Sequence, residues 1–383
     1  MRACSTFAVA TAALAGLALA RPSRQQHHRL TRRYTTSGND GWPAPNPQQL
    51  QAWQTTAGGA LSTADVPKVS SDDGLTAFQL IAVNEEFEVA FFSSLIDNIT
   101  AGVPGFQMQD QTEKDQLLAV LTMVKAQEQV HAMAVKGILE HFNAFLPPPC
   151  DYTFPSQTLD DALDLAETFT SVVLGTLQDA QQTLAKNQND DAVRALASVI
   201  GNEGEQNGYY RQYLSRLPTQ KPFVTTSVAS YAYSALQMFM TPGSCNWAPS
   251  QIALKVYPVL TVNSGNYTLS PNDQTIIFTV NLANVDEARP YVGQTSPPLF
   301  ITYFTGQSTP ISEAIFDASW SKTTTGEVSF TAFFPYTTNL LQGLTIAALT
   351  TTNQFPTHSP AEVEAATLAA PGLIKVNAMI PSS

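Results

Sequence analysis

Four segments of the chain after residue 70 have apolar residues that recur every three or four positions. This spacing places the apolar side chains on one face of an α-helix and predicts helices packed into a bundle. Each face also contains polar residues where apolar ones are expected. In chain order these are Glu85 and Glu88, Glu128 and His131, Glu167, and Glu203 and Gln206.

The second segment has the clearest pattern, a Glu-x-x-His in the middle of an apolar face. Its face consists of Leu117, Leu121, Val124, Glu128, His131, Val135 and Ile138. A Glu and a His three positions apart lie on the same side of a helix, and burying them without partners costs free energy. A metal ion bound by both side chains is the compensation that this spacing favours.

Taken together, the four segments support this interpretation more strongly than any one of them. A glutamate on a helix usually lies at the solvated surface. Bundles with a carboxylate-bridged pair of metals take a Glu from each of two helices and a Glu-x-x-His from each of the other two. This chain has the order Glu, Glu-x-x-His, Glu, Glu-x-x-Gln. The pattern predicts a metal site inside the bundle.

The pattern changes near residue 250, where short runs rich in β-branched and aromatic residues alternate with turn residues. These runs are 254–262, 275–282, 298–304, 327–334, 344–349 and 373–379. They predict a small β-sandwich. A fifth helix is predicted over 228–240. We therefore expect an α+β protein with a helical bundle at 71–245 and a β-sandwich-like domain at 250–383.

The N-terminus has the features of an exported protein. Residues 1–20 have the charged start, apolar run and small-residue cleavage site of a secretory signal peptide. We expect a basic pro-segment at 21–33, which ends in Arg32 and Arg33, and a flexible leader at 34–70. Removal of residues 1–33 would remove six basic residues and no acidic ones, changing the net charge from −12 to −18.

This composition limits the partners and the compartment. So acidic a protein lacks the basic surface that nucleic acids and anionic membranes require. After the signal peptide, no apolar run reaches the roughly 18 residues that span a bilayer. Export predicts a disulfide between Cys150 and Cys245 and N-glycosylation at Asn98 and Asn266. We expect a secreted protein, with the cell wall as one location.

The chain resembles the ferritin-like family, and more narrowly the secreted fungal ferritin-like proteins of the late sexual development and stress-response group. The resemblance covers about residues 70–245. It rests on residues 84–92 (NEEFEVAFF), 128–132 (EQVHA), 149–155 (PCDYTFP) and 201–206 (GNEGEQ).

The resemblance implies a ligand set for a di-metal centre of the di-iron carboxylate type. Glu88, or its neighbour Glu85 on the same face, and Glu167 would be the single-Glu ligands. Glu128 and Glu203 would bridge the metals, and His131 would bind one of them. Gln206 departs from the family pattern, because its neutral amide oxygen is a weaker ligand than imidazole and favours harder ions. We expect iron or manganese.

Two functions are open at this point. In the first, the centre reacts with oxygen or peroxide, or sequesters metal, in a protein linked by resemblance to fungal sexual development or stress response. In the second, the protein is a structural or interaction component of the cell wall or fruiting body with a relic metal site. Gln206 favours the second function. Loss of only one ligand of six favours the first.

Gly201, Gly204 and Gly208 lie on one face of the fourth predicted helix. Each costs roughly 1 kcal/mol relative to Ala within a helix. Either a neighbouring backbone packs closely against this face, or the helix is distorted beside the site.

Overall fold

The structure is a computed structural model that describes residues 33–36, 38–69, 71–263, 269–321 and 326–381. The predicted signal peptide, the pro-segment as far as residue 32, and Asn266 lie outside these ranges. Among the described residues, the six longest helices are α1 Pro47–Ala57, α2 Asp72–Ala101, α3 Gln111–His141, α4 Leu159–Lys186, α5 Val193–Tyr213 and α6 Ala229–Gln237.

The four predicted bundle helices correspond to α2, α3, α4 and α5, and the predicted fifth helix is α6. Polar caps begin three of them: Ser71 Oγ accepts from the backbone N–H of Gly74 in α2, and Asp110 and Thr158 cap α3 and α4 in the same way. Gly102 ends α2 in the left-handed conformation that glycine adopts readily. The apolar faces of the four helices pack together and form the bundle core.

The stretch predicted to be a flexible leader has regular structure and packs on the bundle. Strand β1 (Arg33–Tyr34) pairs with β2 (Tyr152–Thr153). Asn46 and Gln49 form a capping box at the start of α1. Trp42 and Trp53 pack against Val89 of α2 and Ala132 of α3. Burial of these two indoles explains the order, which a composition rich in Pro, Gly and Gln does not reveal.

The C-terminal region forms two antiparallel four-stranded sheets, as predicted. Their strands are β3 Thr261–Val262, β4 Gln274–Asn281, β5 Phe300–Phe304, β6 Ile311–Ala314, β7 Phe316–Trp320, β8 Glu327–Phe334, β9 Gly343–Thr350 and β10 Thr367–Val376. One sheet has the order β10-β9-β5-β6 and the other β3-β4-β8-β7. Short helices complete the region: α7 Tyr336–Asn339, α8 Pro360–Ala365, and 3₁₀ turns at Pro249–Gln251 and Asp286–Tyr291.

The bundle and the two sheets form three layers, with the β10-β9-β5-β6 sheet in the middle. Alternate residues of β9 face opposite ways: Ile346 and Ala348 pack with the bundle, whereas Ala347 and Leu349 pack with the second sheet. Both faces are therefore apolar, and every residue of β9 is buried.

The disulfide between Cys150 and Cys245 joins the α3–α4 connection to the segment after α6. Asn98 is half-buried near the end of α2, and its glycosylation stays a prediction, as do the domain limits. Within the part of the chain that the structure describes, no helix is long and apolar enough to cross a membrane.

Candidate metal centre

Three of the bundle helices bring their buried acids to one place. Glu85 of α2, Glu128 and His131 of α3, and Glu203 of α5 each offer one ligand atom, and these four atoms lie within 4.8 Å of one another. The three glutamates are at most 1% exposed. The spacing of apolar residues that builds the core of each helix also turns these side chains inwards.

The cluster has internal contacts that hold its imidazole in place. His131 Nδ1 lies 2.9 Å from Glu128 Oε2 and 3.7 Å from Glu85 Oε2. Glu88, one turn after Glu85, is fully buried, and Asn84 Nδ2 donates to its Oε1 at 3.2 Å. The charges of Glu203 and Glu128 act on Glu88, so both α2 acids lie near the cluster, and Glu85 is the one grouped with His131.

Gln206 reaches the same cluster through its amide nitrogen. Nε2 donates to Glu128 Oε1 at 2.6 Å and to Gln127 Oε1 at 3.1 Å, and lies 3.3 Å from Asn202 Oδ1. Its Oε1 is buried without a hydrogen-bond partner. The residue thus lies at the predicted position and presents its donor side to Glu128.

Burial and crowding of like charges raise the pKa of three carboxyls in the cluster. Burial is the larger cause in each. The charge of Glu128 adds to it at Glu85 and Glu203, and the charge of Glu203 adds to it at Glu88, so that each pKa lies well above its usual range. Burial and the neighbouring charges therefore favour the neutral form of these three carboxyls.

The residues fit a divalent metal ion. Oxygen atoms of Glu85, Glu88, Glu203 and Gln206 are buried and have no hydrogen-bond partner in the described part of the chain, although such atoms are normally satisfied. Among the described residues, neither a lysine nor an arginine forms an ion pair with Glu85, Glu88, Glu128 or Glu203. Carboxylate oxygens and one imidazole are ligand types that divalent metal ions accept. The assignment of these residues as metal ligands stays a prediction.

The structure does not bring Glu167 to this cluster. Its Oε1 accepts from Arg211 Nε at 2.9 Å, and its Oε2 accepts from Lys375 Nζ of β10 at 3.1 Å. Although burial opposes it, the charges of Lys375 and Arg211 hold the pKa of Glu167 below its usual value. This carboxylate already has cationic partners.

The relative position of α4 and α5 explains the separation. Glu167 contacts Arg211, and Ser171 contacts Asn207 Nδ2 at 2.9 Å, so the two helices run antiparallel. Glu203 is eight residues from Arg211, or about 12 Å along the axis. The same pairing, continued by one helical turn, places Gly175 of α4 opposite Glu203. A Cβ at Gly175 would lie 2.2 Å from the carbonyl oxygen of Thr225. At this level α4 offers no carboxylate.

Sequence analysis missed Tyr210, which continues the polar face of α5 one turn beyond Gln206. It is fully buried, and its hydroxyl has no hydrogen-bond partner within the described ranges. Burial, followed by the charge of Glu128, raises its pKa well above the usual range. Its ring lies 6.0 Å from that of Phe92. The spacing of Tyr210 on the same face as Glu203 was the signal available in the sequence.

Comparison with known families agrees with this arrangement. The family model of the ferritin-like domain matches residues 73–216, which include α2 to α5 and every residue of the cluster. Residues 73–216 form a ferritin-like domain. A search of the curated proteins finds no match to the chain. The sheets that follow the ferritin-like domain lie outside the matched region.

Proposed function

We propose that the ferritin-like domain binds a divalent metal ion, manganese or iron, through Glu85, Glu88, Glu128, His131 and Glu203, with Gln206 at the edge of the site. One observation carries the proposal: four buried carboxylates lie together without a lysine or arginine partner among the residues that the structure describes. Four ionised carboxylates would balance the charge of two divalent ions. Burial of such charges without any cation is costly.

A bound iron or manganese ion would supply redox chemistry towards dioxygen or peroxide. The protein's part is to position and to shield. Glu128 Oε1 accepts a hydrogen bond from Gln206, and Glu128 Oε2 lies within hydrogen-bond distance of His131 Nδ1. These two contacts hold the carboxylate in place. Phe92 and Tyr210 exclude water on one side. Because carboxylates bind a metal in their ionised form, metal binding would favour release of their protons. Sequestration of metal needs only the positioning of the ligands.

We further propose that the protein is exported and acts in fungal sexual development or stress response, at the cell surface or in the wall. The disulfide between Cys150 and Cys245 supports export, since such bonds persist in oxidising compartments. The signal-like residues 1–20 support it as well. The developmental role rests on the resemblance noted in the sequence.

A second candidate function is that of a structural or interaction protein with a relic metal site. The pairing of Glu167 with Lys375 of the sheet region favours it, because α4 uses its central acid to join the layers. In this case the bundle would be a scaffold for the sheets. Metal content distinguishes the two functions.

The test is elemental analysis of the full chain, secreted from a fungal host without chelators, beside Glu128→Gln and Glu167→Gln. The two variants are matched, because each removes one buried carboxylate charge. We expect metal in the parent and in Glu167→Gln, and none in Glu128→Gln. Loss of metal in both variants would contradict the ligand assignment. No metal in the parent after reconstitution with Mn²⁺ or Fe²⁺ would favour the relic site.

A further inference from the structure

The carboxylate cluster is enclosed by apolar side chains on at least two sides. Tyr210 and Phe92 are both fully buried and lie along α5 and α2 next to it. Trp42 and Trp53 cover Val89 and Ala132, which adjoin Glu88 and His131 in sequence. Moving a divalent ion out of water and past apolar side chains costs free energy. An ion therefore needs a polar route to reach the site.

A polar route exists between α3 and α5. Gln127 and Asn202 are half-buried, so they connect the solvent with the interior. Both side-chain oxygens face the amide nitrogen of Gln206, at 3.1 Å for Gln127 and 3.3 Å for Asn202. The same nitrogen lies 2.6 Å from Glu128 Oε1. Three amides therefore form a continuous polar path from the surface to a carboxylate of the cluster.

The innermost amide has features of a movable element. Nε2 of Gln206 has two hydrogens but three acceptors, so the three contacts cannot all be full hydrogen bonds at once. Its Oε1 is buried without a partner. A rotation of this amide would release Glu128 Oε1 and present an oxygen to an arriving cation.

We propose that Gln127, Asn202 and Gln206 form the route by which divalent cations reach the buried carboxylates. Amide oxygens are suitable transient ligands for hard divalent ions. Gln127 and Asn202 replace part of the hydration shell of the ion, and Gln206 transfers it to Glu128. The inference rests on the proposed metal binding and adds the path and its residues.

The test separates the rate of binding from its equilibrium. Co²⁺ alone is mixed with the metal-free full chain in a stopped-flow instrument, its visible absorbance gives the association rate, and a chelator chase gives the dissociation rate. In Gln127→Leu and Asn202→Leu both rates should fall by about tenfold. Each variant loses one stabilising contact to the ion in transit, worth about one hydrogen bond, and the barrier to entry and exit rises by that amount. Kd should stay unchanged, since neither residue contacts the carboxylates.

Two controls accompany these variants. Asn202→Asp keeps an oxygen ligand and should retain or exceed the wild-type rates. Gln182→Leu makes the same amide-to-alkyl change at an exposed position of α4 and should have no effect. Wild-type or faster rates in both leucine variants would overturn the route, as would a changed Kd with unchanged association. Absence of Co²⁺ binding in the wild-type chain would instead overturn the proposed function, and the route with it.

Discussion

The buried carboxylates of the bundle are stabilised in two different ways. Glu167 has Lys375 and Arg211 as partners, so its charge is compensated within the protein. Glu85, Glu88, Glu128 and Glu203 have no such partners among the described residues. An uncompensated buried charge is costly. A site that keeps four carboxylates together without a lysine or arginine therefore implies a cation bound from solution. The contrast between these two groups is the residue-scale argument for the metal centre.

The glycines of α5 lead to a second residue-scale prediction. Neither sequence-based explanation fits Gly201 and Gly204: both are exposed, a Cβ at either would meet no atom within 4 Å, and α5 is continuous. We expect Gly201→Ala and Gly204→Ala each to raise the free energy of unfolding by about 1 kcal/mol, from helix propensity alone. Thermal or denaturant unfolding measures the change.

Gly175 of α4 is the matched control. A Cβ at this position would lie 2.2 Å from the carbonyl oxygen of Thr225, so Gly175→Ala should destabilise the protein. A loss of stability in Gly201→Ala or Gly204→Ala would show that the exposed face has a neighbour after all.

At the scale of elements, α1 illustrates how packing orders a segment that its composition does not predict to be ordered. Asn46 caps the helix, and Trp53 is buried against α2 and α3. We expect Trp53→Ala to reduce the free energy of unfolding by about 3–5 kcal/mol, the usual cost of truncating a buried aromatic side chain. Denaturant unfolding of the full chain provides the measurement. The exposed Gln51 of the same helix is the control, and Gln51→Ala should stay within about 0.5 kcal/mol.

The contact between α4 and α6 predicts a pH dependence. Asp179 accepts the backbone N–H of Ala229 at 3.1 Å, and burial raises the pKa of its carboxyl from 3.8 to about 6. Between pH 3.8 and about pH 6 this carboxyl holds more protons in the folded state than in the unfolded state. The free energy of unfolding therefore falls as the pH rises through this range. In Asp179→Asn this contribution is absent.

The stability of Asp179→Asn relative to wild type should therefore increase between about pH 4 and about pH 7, by up to about 3 kcal/mol. Denaturant unfolding at a series of pH values measures it. Asp191→Asn, at an exposed position, should track the wild type throughout. A constant difference between Asp179→Asn and wild type would mean that the carboxyl titrates normally in the folded protein.

At the scale of the whole molecule, Lys375 connects the layers. It is 1% exposed, lies on β10 of the middle sheet, and contacts Asp164 and Glu167 of α4. Lys375→Met removes one of the two cations that donate hydrogen bonds to Glu167, and Arg211 remains. We expect Lys375→Met to reduce the free energy of unfolding by at most about 3–5 kcal/mol, the cost when no partner remains, measured by denaturant unfolding.

A double-mutant cycle tests whether this cost comes from the pair. Glu167→Gln combined with Lys375→Met should cost less than the sum of the single variants, with a coupling of roughly 0.5–3 kcal/mol. Lys136→Met is the control, because Lys136 pairs with Glu140 at the surface, where the cost should be at most about 1 kcal/mol. Additive costs would show that Lys375 and Glu167 act independently.

The strands that sequence analysis found and missed follow from their places in the sheets. β4 and β8 alternate between buried residues and more exposed ones, and β9 is buried throughout and mostly apolar, so their patterns are visible in the sequence. β6 and β7 are the edge strands of their sheets. Their residues are mostly half-buried or exposed, and a strand without one clearly buried face has no alternation to detect.

The sequence by itself determined which residues of each helix face the core, because a periodicity of 3.6 residues fixes the face of a side chain. Glu85, Glu88, Glu128, His131, Glu203 and Gln206 could be identified in this way. Only the tertiary structure decided that Glu167 lies apart with Lys375, 208 residues away in sequence. Spacing within one helix contains no information about how far it slides along its neighbour, and that axial offset depends on packing between helices and sheet.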